Sequence, residues 1–238
     1  MKLRDERAAR AWREAKTATE AWTRFATWLR KLPPNEDETS DAPVASDGTP
    51  SNHALWTREG MRGLVLFEKH DVMEGFLKPT KGSTDFASKI RVATATAPFA
   101  PTLHDVKLIE AHARILGGPI GYVGDLDPHS LHVYGALRSG KLDAPSLAGR
   151  KLSIDWLGLD DEWLSHAIKK DAESSLRTVR MSWSEREYWE VVKRLLPGIR
   201  QLVGDDSFAL LERGISVELD AASTILQPMI KKRLTSWD

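Results

Sequence analysis

Hydrophobic positions recur along this chain with two kinds of pattern, and each predicts a different element. From Lys2 to Leu32 the residues Ala8, Trp12, Ala15, Thr19, Trp22, Ala26 and Leu29 alternate at four- and three-residue steps, with Ala11, Ala18 and Phe25 widening the stripe. That spacing predicts an amphipathic helix, roughly 45 Å long at 1.5 Å per residue. Pro33 and Pro34 stop it, because proline cannot continue the hydrogen-bond ladder. Residues 35–52 are rich in Asp, Glu, Ser, Thr and Pro with almost nothing to bury, which predicts a flexible acidic linker. The sequence thus divides into an N-terminal helix (1–32), a linker (33–54) and a folded domain (55–238).

In the folded domain the second pattern is a short, nearly unbroken apolar run. Such runs predict strands at Gly63–Glu68, Ile90–Ala97, Pro119–Asp127 and Leu152–Leu157. Helical spacing falls near Val72–Leu77, His104–Leu116, Ser130–Arg138, Asp161–Lys170, Ser184–Leu196, Ser207–Arg213 and Ala222–Leu234. Ser182 or Ser184 caps the fifth of these, whose first turn carries Glu185 and Glu187, and Pro197-Gly198 ends it. Strand–helix alternation of this kind implies right-handed crossovers and a mostly parallel four-stranded sheet flanked by helices, an α/β fold.

Two of these strands stop abruptly on carboxylates. Glu68 follows Gly63-Leu-Val-Leu-Phe67, and Asp125 and Asp127 follow Gly121-Tyr-Val-Gly124. Parallel sheets place ligand sites at the carboxyl ends of their strands, and strand alternation would put both aspartates on one side of the backbone. Two carboxylates about 4 Å apart repel by roughly 4 kcal/mol at an effective dielectric of 20. A cation or a proton is therefore expected among them. With oxygen ligands alone, Mg2+ or Mn2+ suits the set better than zinc, and phosphodiester chemistry follows from such an ion. Pro128 stops the strand, and Ser130 is expected to cap the following helix and aim its free amides at an anion.

Composition narrows the picture. Basic and acidic residues balance at 34 each, so any basic surface is local. Cysteine is absent, which removes disulfides and thiolate metal sites and suits a reducing cytoplasm. No apolar run approaches the ~18 residues that span a bilayer, and the charged N-terminus lacks a signal-peptide core. A cytoplasmic, membrane-free protein is expected. His70, His129 and His132 lie near the carboxylates in sequence, and Glu218 is a further acid whose simplest role is an ion pair. Trp156, Trp163, Trp183 and Trp189 read as packing residues. The N-terminal helix, with Trp12, Trp22 and Leu29 on its stripe, reads as a docking element for a protein partner; contact with DNA or a membrane surface is the alternative.

The order of these motifs resembles a known family. Leu64-Val-Leu-Phe-Glu68-Lys-His-Asp-Val, followed by Tyr122-Val-Gly-Asp125-Leu-Asp127-Pro-His-Ser-Leu131 with Tyr134 and Leu137-Arg138, is similar to the two motifs of the Toprim domain, a Rossmann-like catalytic fold. The finer resemblance is to the branch that holds the Toprim-bearing chain of topoisomerase VI and the meiotic double-strand-break transesterases. It extends to the Toprim nuclease component of condensin-like plasmid-defence complexes. Ile154-Asp-Trp-Leu-Gly158-Leu resembles a later segment of that branch, while Met181–Glu187 and Leu211–Asp220 resemble its closing helical elements. The resemblance implies that Glu68, Asp125 and Asp127 bind one or two Mg2+ or Mn2+ ions and are the catalytic residues, with Glu68 either a ligand or a proton carrier. It implies DNA as substrate, with Lys69, Lys81 and Arg138 placed to neutralise phosphates, and it leaves a homodimer open.

Departures from the pattern matter as much. The transesterases attack DNA with a tyrosine carried on a winged-helix domain. Here Tyr122, Tyr134 and Tyr188 all fall within or after the Toprim-like motifs, so hydrolysis by water is expected instead. Ser130 stands where many relatives have glycine. The rival expectation is a non-catalytic member of a topoisomerase VI-like or recombination complex, with a partner supplying the tyrosine.

Overall fold

The computed structural model describes residues 63–77, 92–97, 101–116, 118–141, 145–148, 152–169, 176–220 and 225–237. The expected N-terminal helix and linker, with Trp12, Trp22 and Leu29, lie outside the described residues, as does Lys81. The expected central sheet is present. Strands β1 (Gly63–Phe67), β2 (Val92–Thr96), β3 (Ile120–Val123) and β4 (Ile154–Trp156) stand in the order β2-β1-β3-β4, every pair parallel. All five residues of β1 and all four of β3 are buried, which in a sheet requires cover on both faces. That is why these strands appear in the sequence as continuous apolar runs rather than alternating ones.

The helices α1 (His70–Leu77), α2 (Leu103–Leu116), α3 (Pro128–Ser139) and α4 (Asp161–Lys169) follow the four strands in turn. Then come α5 (Trp183–Leu195), α6 (Ile199–Val203), α7 (Asp205–Glu212) and α8 (Leu226–Leu234), with a 3-10 turn at Thr235–Trp237. The expected cap on α5 is a reciprocal one. Ser182 Oγ accepts from the Glu185 amide while Glu185 accepts from the Ser182 amide. Trp156, Trp163 and Trp189 pack in the core as expected. Trp183 does not: it opens α5 and is 45% exposed.

One element departs from the expectation. Residues 211–220, which resemble a helical segment in sequence, hold the end of α7 and then a strand, β6 (Ile215–Leu219). Gly214, in the left-handed region at φ 70°, ends the helix and turns the chain into it. β6 pairs antiparallel with β5 (Leu176–Arg180), also unanticipated, to form a second, two-stranded sheet.

This small sheet corrects the third expected strand as well. β3 ends at Val123, four residues short of Asp127. Beyond it Leu126 leaves the main sheet and exchanges both backbone hydrogen bonds with Val217 of β6, at 2.9 and 3.0 Å. Gly124 permits the turn: a Cβ there would lie 2.6 Å from Tyr122 Cε1. Gly158 passes close on the other side, its neighbour Leu159 donating to the Gly124 carbonyl at 3.1 Å. A Cβ on Gly158 would overlap that carbonyl and lie 2.8 Å from the Gly124 nitrogen. Gly158→Ala is therefore expected to cost about 1–3 kcal/mol in denaturant melts and to shift the turn that carries Asp125.

Candidate metal centre

The register of β1 on β3 builds the site. Leu64 pairs with Ile120 and Phe67 with Val123, so the two strands end level. Glu68 is the first residue past that edge, its amide donating to the Val123 carbonyl at 2.9 Å. Gly124 and Asp125 leave the same edge beside it. Asp127 arrives by a different route from the one expected. It is not on a strand but at the N-cap of α3, where its Oδ1 accepts from the Ser130 amide at 2.8 Å. Pro128 then fits the first helical position, where its missing N–H costs nothing. Ser130 is thus not the cap. It lies inside the first turn, and its hydroxyl donates instead to Glu68 Oε2. Of the first-turn amides of α3, Pro128 has no hydrogen to offer and that of Ser130 is spent on Asp127.

Glu68, Asp125 and Asp127 each present an oxygen, and these oxygens lie within 4.8 Å of one another. The protein fixes one side of each carboxylate. Glu68 Oε2 accepts from the Asp125 amide at 3.0 Å as well as from Ser130. Asp125 Oδ1 accepts from the Leu219 amide on β6 at 2.8 Å, and its Oδ2 meets Lys69 Nζ at 2.6 Å. Glu68 Oε1 and Asp127 Oδ2 receive no hydrogen bond from the described residues.

Charge is crowded here. Burial, then Asp127 and Asp125, push Glu68 well above the usual carboxylate range, against the opposing hydrogen bonds from Ser130 and Asp125. Asp125 is 2% exposed. Burial and then Asp127 raise it to about 7, despite Lys69 and the Leu219 amide. Burial alone would lower the Lys69 pKa, but Asp125 and Glu218 outweigh it and hold the ammonium above its ordinary value. Asp127 and Lys69 thus pull in opposite senses on Asp125. Above neutral pH the 2.6 Å contact with Lys69 holds Asp125 in its ionised form.

The centre passes a separate test of fit for a hydrated cation. Tyr122 is wholly buried, its hydroxyl has no hydrogen-bond partner among the described residues, and Glu68, Asp127 and Asp125 all act on it electrostatically. A buried hydroxyl beside an acidic cluster is expected to find its partner in bound solvent. The donor set is all oxygen, which favours Mg2+ or Mn2+. None of the three histidines joins it. His70 is exposed, 3.4 Å from Glu74. His132 is wholly buried against the Tyr188 ring, 5.8 Å between centroids, and burial followed by His129 lowers it to about 3, so it stays neutral.

Other expected residues take specific places. Glu218 sits on β6, not on a helix, and its Oε2 is 3.7 Å from Lys69 Nζ. Lys69 is turned into the centre. Arg138 lies about 16 Å further along α3 than Asp127, donating to Tyr134 Oη at 2.6 Å and to the Ile154 carbonyl at 3.1 Å, so it ties α3 to β4. Sequence reading overlooked Arg177, which stands directly across from Glu218 in the β5–β6 pair. Facing residues share one side of a sheet with Cβ atoms about 5 Å apart, so Arg177 is on the rim of the site. The period-two pattern Ile215, Val217, Leu219 was the available signal for that strand.

Fold and site together define an α/β protein with an all-oxygen acidic centre at the carboxyl edge of a parallel sheet. No model of a known protein family matches the chain, and a search of curated proteins gives no match. Among the described residues no helix is long and apolar enough to cross a membrane.

Proposed function

We propose that this chain is a divalent-metal-dependent nuclease of the Toprim type that hydrolyses DNA phosphodiesters, working as the catalytic component of a larger assembly. The observation that carries this reading is the level end of β1 and β3, which brings Glu68, Asp125 and Asp127 within 4.8 Å of one another. Glu68 and Asp127, through the oxygens the protein leaves open, would hold Mg2+ or Mn2+, with Asp125, already tied to the Leu219 amide and Lys69, adding its charge beside them. Such an ion, when bound, polarises a phosphoryl oxygen and acidifies a water.

The chain's own groups supply the rest. Water is the nucleophile, because all three tyrosines of the sequence are buried and none is presented to a substrate. Its oxygen bonds to phosphorus as the bond to the leaving ester oxygen breaks, giving one phosphate end and one hydroxyl end. The attacking water gives its proton to solvent, and the leaving oxygen takes one from it. Arg177, on the rim, is suited to a backbone phosphate, a contact that weakens as salt rises. With charge balanced over the whole chain, binding to DNA by this protein without a partner is expected to be weak, which motivates the assembly.

Incubation with supercoiled plasmid tests the reading. Nicked or linear product is expected with Mg2+ or Mn2+ and none with EDTA. The ends should be ligatable and carry no covalently attached protein. A protein-linked product, or cleavage that persists in EDTA, would overturn it.

A further inference from the structure

We infer that Lys69 occupies the position of a second cation in this centre, so that the site takes one divalent ion and not two. The inference rests on the metal reading above and adds a stoichiometry to it. A two-ion clamp places its ions about 3.5–4 Å apart and needs a carboxylate to bridge them, and Asp125 is the central candidate. Its Oδ2 is already held by Lys69 Nζ at 2.6 Å and its Oδ1 by the Leu219 amide at 2.8 Å. The ammonium also reaches Glu218 Oε2 at 3.7 Å. It therefore sits between an acid just past the end of β3 and one on β6, where an ion shared by Asp125 and Glu218 would have to lie.

The lysine is held there by the fold. Lys69 follows Glu68 directly, and its carbonyl accepts from the Met73 amide at 3.1 Å, which fixes its backbone at the start of α1. β6 brings Glu218 opposite through the Leu126–Val217 bridge. Glu68 Oε1 and Asp127 Oδ2 remain as the open oxygens, and the buried Tyr122 hydroxyl lies in the field of the same acids. One ion belongs at that pair. A second divalent ion on the Lys69 side would have to displace the ammonium from Asp125 Oδ2 or sit beside its positive charge, where like charges repel.

Titrating the metal-free, full-length protein with Mn2+ tests this, using calorimetry for stoichiometry and electron paramagnetic resonance for spin coupling. Wild type should bind one Mn2+ in the centre with an uncoupled spectrum. Lys69→Ala should bind two, with the exchange-coupled signal of a close pair, and Lys69→Ala with Glu218→Gln should return to one. A coupled pair in wild type overturns the inference and leaves the metal reading standing. A single uncoupled ion in both wild type and Lys69→Ala overturns it too. If wild type binds no Mn2+ that Asp127→Asn removes, the metal reading itself falls. Where Lys69→Ala fails to fold, Lys69→Met, which keeps the aliphatic stem without the charge, takes its place with the same results expected.

Discussion

Asp127→Asn is expected to melt no lower than wild type and yet to lose metal-dependent cleavage by about 10²–10³-fold or more, the scale on which removal of one stabilising group at a reacting centre is felt. The two effects separate because Asp127 has two jobs on two oxygens. Its Oδ1 caps α3 by accepting from the Ser130 amide, and asparagine caps a helix as well as aspartate does. Its Oδ2 is one of the open oxygens of the centre, and with the single amide oxygen of asparagine kept on the cap, an uncharged NH2 that cannot ligate a cation stands in its place. Removing that charge also relieves Glu68 and Asp125, both of which Asp127 pushes upward. Asp127→Ala should lose cleavage equally but also lose about 1 kcal/mol of stability with the cap. Thermal melts beside plasmid cleavage rates check the pair. An asparagine variant that cleaves at the wild-type rate would remove Asp127 from the centre.

The second large effect is on stability against pH. In the metal-free fold Asp125 keeps its proton up to about 7, whereas in the unfolded chain it releases it near its ordinary 3.8. Between those values the folded state binds more protons, so stability falls as pH rises and the contribution is fully lost above the folded pKa. At about 1.4 kcal/mol per pH unit the loss from Asp125 amounts to roughly 4 kcal/mol. Glu68, raised in the same direction, adds to it. Bound Mg2+ replaces the protons, so its stabilising effect should be small at pH 5 and large at pH 8. Acids with lowered pKa values, such as the half-buried Asp161 and the exposed Glu162, slope the opposite way. Denaturant melts in EDTA and in Mg2+, with wild type compared to Asp125→Asn, isolate the centre from them. A wild-type advantage over Asp125→Asn that grows with pH in EDTA would contradict the raised pKa.

How much is legible beforehand differs from residue to residue, and the differences have causes. Glu68 and Asp125 can be found because a strand buried on both faces leaves a continuous apolar run, and a carboxylate ending such a run stands out. The α5 cap is legible because its partners, Ser182 and Glu185, are three residues apart. β5 is not. Its residues are half-buried or exposed, so no apolar run marks it. β6 is taken as helical only through the resemblance of residues 211–220 to closing helical elements, because its own five-residue alternation is too short a signal to mark a strand. Ser130 and Asp127 both suit a cap on α3, and only the path of the chain after Val123 chooses Asp127.

The sequence by itself determined the parallel sheet, the order of its elements and the acids at its edge, since burial and local hydrogen bonding are written in neighbouring residues. Only the tertiary structure decided which oxygens are spent and which remain open. The Leu219 amide that holds Asp125 is 94 residues away along the chain, and Lys69 reaches Asp125 and Glu218 from a third segment. Contacts at that separation depend on strand register and on where β6 docks. No local periodicity encodes either.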